Sequence, residues 1–158
     1  MDSVVGVVTL SEFDYLEEDI GKSSLKWTVP CARPGLPVAF VGKTLDPTQG
    51  QIVCALGFVK GETGKRYGRG RASFPLWWCE DVVWLKRPLY KADLVATDRQ
   101  RLGTFGGFAS YRLQGRGAGI RSVKQWCAFI DILARLNPRM QLDSYKTQRV
   151  PLGGVSSS

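Results

Sequence analysis

Apolar residues along this chain gather in short runs of strand length, broken by proline and glycine, with one stretch of helical period near the C-terminal end. Val4–Leu10 is β-branched and free of proline and charge, and predicts a first strand. Ser11–Ser24 sets Phe13, Leu16 and Ile20 among acids at loosely helical spacing, with Ser11 placed as an N-cap and Gly21 as a stop. A short helix or irregular turn is expected there. Pro30, Pro34, Gly35 and Pro37 then force an extended, turning path. Val38–Val41 and Ile52–Val59 flank the turn residues Asp46–Gly50 and predict an antiparallel hairpin with Gly57 as a bulge. A further strand, Val82–Leu85, is expected to close at Pro88.

The clearest element is Ser122–Leu136. Val123, Trp126, Cys127, Ile130 and Leu133 recur at helical spacing between a serine cap and Asn137-Pro138, which predicts an amphipathic helix. Between residues 98 and 119, glycines alternate with arginines and aromatics, and mobile loops around a strand at Phe108–Leu113 are expected. Residues 143–158 lose periodicity and end in a Gly/Ser stretch, the composition of a flexible tail or linker. Short strands with flanking helices give an α+β class, a small and partly open mixed β-barrel, formed by one domain over residues 1–142.

The 158 residues, 44% apolar and 23% charged, suffice for one core and exclude disorder. The longest uncharged apolar run, Ile52–Val59, is too short to cross a bilayer, and the N-terminal region carries acids where a signal peptide carries bases. No membrane partner is expected. Histidine is absent, so Ser-His-Asp triads, Cys-His dyads and His-bearing zinc sites are excluded. The four cysteines, Cys31, Cys54, Cys79 and Cys127, form no close pair; they suit reduced, mostly buried thiols in a cytoplasmic protein rather than a metal site. No metal and no cofactor is expected.

Twenty-two bases against fourteen acids give +8, and the charge is uneven. Residues 1–26 hold six acids and two bases, residues 60–71 five bases and one acid, and residues 86–121 eight bases and two acids. Two basic, glycine-rich segments opposed to an acidic one suit a protein that grips a polyanion on one side. Tyr67, Phe105, Phe108 and Tyr111 lie among those bases, and aromatics so placed can stack on unpaired nucleobases. Lys65, Arg66, Arg69, Arg71, Arg99, Arg101, Arg112, Arg116 and Arg121 are the candidate phosphate contacts. Arg66, Arg69 and Arg71 are read as lying in a mobile loop, positioning the backbone rather than reading sequence.

The order of these features resembles the PUA-like superfamily, in particular its EVE and YTH branches. The resemblance is carried by the first strand, Trp27 opening a strand, the Val38–Val59 hairpin, the Trp77-Trp78 loop, the run Trp84–Leu89, and Gly119–Val123 entering a helix. It implies an aromatic cage that receives a modified, flipped or unpaired base. Trp27 and one of Trp77 or Trp78 would form its walls, with Thr28 as a backbone contact and Ser11 and Asp14 as polar readers of the base edge. The YTH branch carries asparagines where this chain has Ser11 and Asp14. Extended residues 77 and 78 must point to opposite faces, whereas Trp84 and Trp126 read as core.

The leading expectation is therefore a non-enzymatic reader of a methylated base, in DNA rather than RNA, fused to or associated with a nuclease or translocase NTPase as in modification-dependent restriction. One alternative is a histidine-free, metal-dependent enzyme acting on nucleic acid through Asp14, Glu17, Glu18 and Asp19 or through Glu80 and Asp81. Another is a small viral or phage protein that binds a host partner.

Overall fold

The computed structural model describes residues 4–10, 21–43, 51–67, 74–90, 93–102 and 117–149, and over these the chain is α+β. The strands are β1 (Gly6–Leu10), β2 (Leu25–Thr28), β3 (Pro37–Lys43), β4 (Gln51–Tyr67), β5 (Phe74–Tyr90) and β6 (Gly117–Ile120). Helix α1 spans Ala96–Leu102 and α2 spans Val123–Leu136, followed by a 3-10 turn at Asp143–Lys146. The strands form one sheet in the order β2-β5-β4-β3-β1-β6, antiparallel throughout except for the parallel β1–β3 pair.

Alternation along the strands divides the apolar residues between two cores. Val8, Ala39, Val41, Leu56 and Phe58 face the helical layer, where they pack on Trp126, Phe129, Ile130 and Leu133 of α2. Val7, Val38, Phe40, Ala55, Val59 and Cys79 face the other side, where Leu25 and Trp27 of β2 and Leu36 complete a second core. A Cβ on Gly6 would overlap the Trp126 indole, so β1 can lie against α2 only with glycine there. The β3–β4 hairpin forms as the sequence predicts, and its β4 strand slips register against β5 between Leu56 and Phe58, at Gly57.

The sheet is curled rather than closed. β2 and β6 are its edges, and no ladder joins them among the described residues, which corrects the expected barrel to an open sheet. The curl still brings the first and fifth strands of the order within reach. The buried Thr9 hydroxyl on β1 donates to the Thr28 carbonyl on β2 at 2.6 Å.

Four other expectations are corrected. First, Lys60–Tyr67 is the outer end of β4, not a mobile loop. Second, β5 continues through Pro88, because the ladder is interrupted there: Trp84 pairs with Ala55, and pairing resumes only at Leu89 with Val53. In that gap the Arg87 N–H donates to Asn137 Oδ1 at 2.8 Å and the Arg87 carbonyl accepts from Asn137 Nδ2 at 3.0 Å, so proline costs no ladder bond. Third, residues 96–102 are helical; the Asp98 carboxylate accepts both a bidentate Arg135 pair at 2.9 and 2.8 Å and the Val95 N–H at 3.1 Å.

Fourth, residues 143–149 are part of the domain. Tyr145 is buried, its ring stacked 4.8 Å from that of Phe58, and its carbonyl accepts the Trp126 indole N–H at 2.7 Å. The Arg149 N–H donates to the Gly35 carbonyl at 2.8 Å. Helix α2 matches its prediction: Ser122 caps it, accepting the Gln125 N–H at 3.1 Å, and Trp126 is fully buried. The segments 11–20, 46–50 and 108–113, for which a helix or turn, a turn and a strand are expected, lie outside the described residues.

Candidate nucleic-acid interface

The outer ends of β4 and β5 carry four of the sequence-predicted site residues that the structure describes: Lys65, Arg66, Trp77 and Trp78. Beyond Val59 and Cys79, the last fully buried pair, β4 slips against β5 between Val59 and Gly61 and again between Glu62 and Arg66. The second slip is pinned by Thr63. Its hydroxyl donates to the Leu76 carbonyl at 2.9 Å and accepts the Lys65 N–H at 3.0 Å, while Gly64 takes φ +78°. A bulge of this kind re-aims the residues that follow it. Here they are the exposed Lys65 and Arg66. Arg66 stands directly opposite Pro75 and Glu62 opposite Trp77, and directly paired antiparallel residues share a face.

That face ends in an apolar cleft of about 380 Å³, lined by Thr28, Val29, Pro30, Cys31, Ala32, Phe74, Pro75 and Trp77. Trp77 packs against the second core and is only half-buried. The 30–36 turn forms the opposite wall. Arg33 holds that turn, donating to the Val4 carbonyl and, at 2.7 Å, to Gln148 Oε1. The curl brings β6 back beside this wall, since a Cβ on Gly119 would lie 3.4 Å from Cys31 Sγ.

The predicted cage is assembled only in part. Thr28 and Trp77 line the cleft, but Trp27, the expected first wall, pairs with Trp77 in register, is 7% exposed and belongs to the core. Phe74 is the second aromatic lining the cleft instead. Its role is not readable from the sequence, because it follows from the β4–β5 register. Trp78 points to the opposite face, as adjacency requires, and is 40% exposed. Ser11, Asp14, Arg69, Arg71, Arg112 and Arg116 lie outside the described residues.

Of the second basic segment, the described arginines of residues 96–102 lie away from the cleft. Arg99 and Arg101 are exposed on α1, in the helical layer, where Arg101 pairs with Asp131 at 3.3 Å. Arg121 is exposed just after β6, two residues beyond Gly119. Among the acids of the enzymatic alternative, Glu80 and Asp81 are both engaged by Arg149, and the Asp81 carbonyl accepts the Tyr145 hydroxyl. Burial pushes the thiol of Cys79 up to about 12 and that of Cys54 to about 11, so both stay protonated at neutral pH. None of the four cysteines forms a disulfide; Cys79 is buried, Cys54 and Cys127 are half-buried, and Cys31 is exposed. No helix among the described residues is long and apolar enough to cross a membrane. Comparison with protein-family models, with curated proteins and with solved structures found no match.

Proposed function

We propose that the chain is a nucleic-acid-binding reader that takes one unstacked, methylated base into the Trp77–Phe74 cleft. Lys65 and Arg66 hold the phosphates beside it. The observation that carries this reading is the placement of Arg66 opposite Pro75, on the face of the sheet where the cleft opens. An apolar slot with aromatic walls favours a flat base that bears an added methyl group, because both the π-face and the methyl leave water on binding. A guanidinium at the rim answers the charge that any nucleotide brings with it. Glu62, opposite Trp77, adds an acceptor suited to the amino edge of cytosine or adenine.

The curled sheet, with Thr9 reaching Thr28 across its open side, is compatible with an open form of a PUA-like barrel of the EVE/YTH type. In that setting the module is non-enzymatic and addresses a fused or associated nuclease or NTPase to modified DNA. The test is a binding titration with methylated and unmodified oligonucleotides. Trp77→Ala is expected to abolish preference for the methylated base, whereas Arg66→Ala weakens binding to both alike. Full preference in Trp77→Ala would overturn the reading.

A further inference from the structure

The geometry points to a second base-stacking site on the opposite face of β5, built on Trp78 and occupied by an unpaired base of single-stranded nucleic acid; this rests on the reading of the chain as a nucleic-acid binder. Trp78 is 40% exposed, and its two cross-strand neighbours differ in a way that leaves one side of the indole open. On β2 it faces Lys26, whose Nζ sits 5.2 Å from the ring centroid. On β4 it faces Gly61, where an added Cβ would meet nothing within 4 Å. The indole therefore has a cation over its ring on the β2 side and an empty strand position on the β4 side. A base stacked on that open side would bring its phosphate toward the exposed Lys26 and toward Lys60, the exposed neighbour of Gly61, a complement of charge that a neutral apolar partner would not need.

Continuity with the cleft follows from chain geometry. Trp77 and Trp78 are consecutive residues of one strand, so the two stacking surfaces stand back to back across a single strand's thickness. The β2–β5 ladder ends at Thr28 and Leu76, and β5 extends past it through Pro75 and Phe74, a margin around which a strand of nucleic acid can turn. A flexible single strand can follow such a turn between successive nucleotides, whereas a stacked duplex cannot.

The experiment is a titration of fluorescently labelled oligothymidine against wild type, Trp78→Ala, Gly61→Val and Arg66→Ala, with the melting temperature of each variant measured alongside. Trp78→Ala is expected to weaken binding by at least about fivefold, the lower end of the loss seen when one stacking contact is truncated. Gly61→Val starts from a Cβ position with nothing within 4 Å and puts its methyl groups on the open side, so it should melt no lower than wild type and lose binding comparably. A smaller loss in either variant overturns the second site. If only Arg66→Ala loses affinity, the second site falls and the cleft reading stands. If the wild type binds no nucleic acid, both fall.

Discussion

Trp27, Trp77 and Trp78 place the same indole in three environments, and the differences set what each should do when removed. Trp27 is buried in the second core together with Leu25, Val38 and Phe40, so Trp27→Ala should cost about 3–5 kcal/mol as a truncated core aromatic, measured by chemical denaturation. Trp78 is 40% exposed and belongs to neither core, and its loss should cost about 1 kcal/mol or less. That residues 77 and 78 point apart was legible in the sequence, since alternation along an extended chain requires it. Which of the three indoles is buried was not legible, because that depends on β2 pairing with β5 in the register Trp27–Trp77, a contact between positions fifty residues apart.

Asp98 is a residue whose role the sequence concealed. The Arg135 guanidinium that bonds its carboxylate, together with the Val95 N–H, holds its pKa below the ordinary carboxylate value. A carboxylate depressed in the folded state stabilises the fold above its unfolded pKa of about 4, and that contribution disappears as pH falls through the folded value. Wild type should therefore exceed Asp98→Asn in melting temperature at pH 7, with the gap narrowing as pH drops below about 4. A gap unchanged down to pH 2 would show that the ion pair is not its source.

Among the elements, α2 was fully legible because three independent signals agree there: the apolar period, the Ser122 cap and the stop at Asn137-Pro138. Ser122→Ala should remove the Gln125 N–H acceptor and destabilise the fold by about 0.5–2 kcal/mol in thermal or denaturant melts. The 3-10 turn at Asp143–Lys146 was missed because its stability is entirely tertiary; its composition gives no period, yet Tyr145 is buried between Phe58 and the Trp126 N–H. Tyr145→Ala should cost about 3 kcal/mol or more. A change near zero would restore the reading of residues 143–149 as a tail. Pro88 misled for the complementary reason. A proline usually stops a strand, but here the Asn137 side chain takes over the backbone bonds of Arg87 beside it.

For the whole molecule, the sequence made the α+β class and the hairpin legible through local alternation. The curl that separates two cores and opens a cleft between β5 and the 30–36 turn arises from long-range register and was out of reach. The same limit applies to charge. Its excess of +8 could be counted along the chain, but that Arg66 stands beside the cleft while Arg99 and Arg101 lie in the helical layer could be seen only in the fold. Binding that rests on phosphates at the cleft should lose affinity with rising salt, at a log–log slope of about −0.7 to −0.9 per phosphate neutralised. Base discrimination in the apolar cleft should not change, since uncharged stacking releases no counterions.

The most direct measurement is a competition titration of wild-type protein with methylated and unmodified oligonucleotides over a series of salt concentrations. The predicted result is a steep, parallel fall of both affinities with a constant preference for the methylated strand. Affinity indifferent to salt, or equal binding of the two strands at every salt concentration, would contradict it.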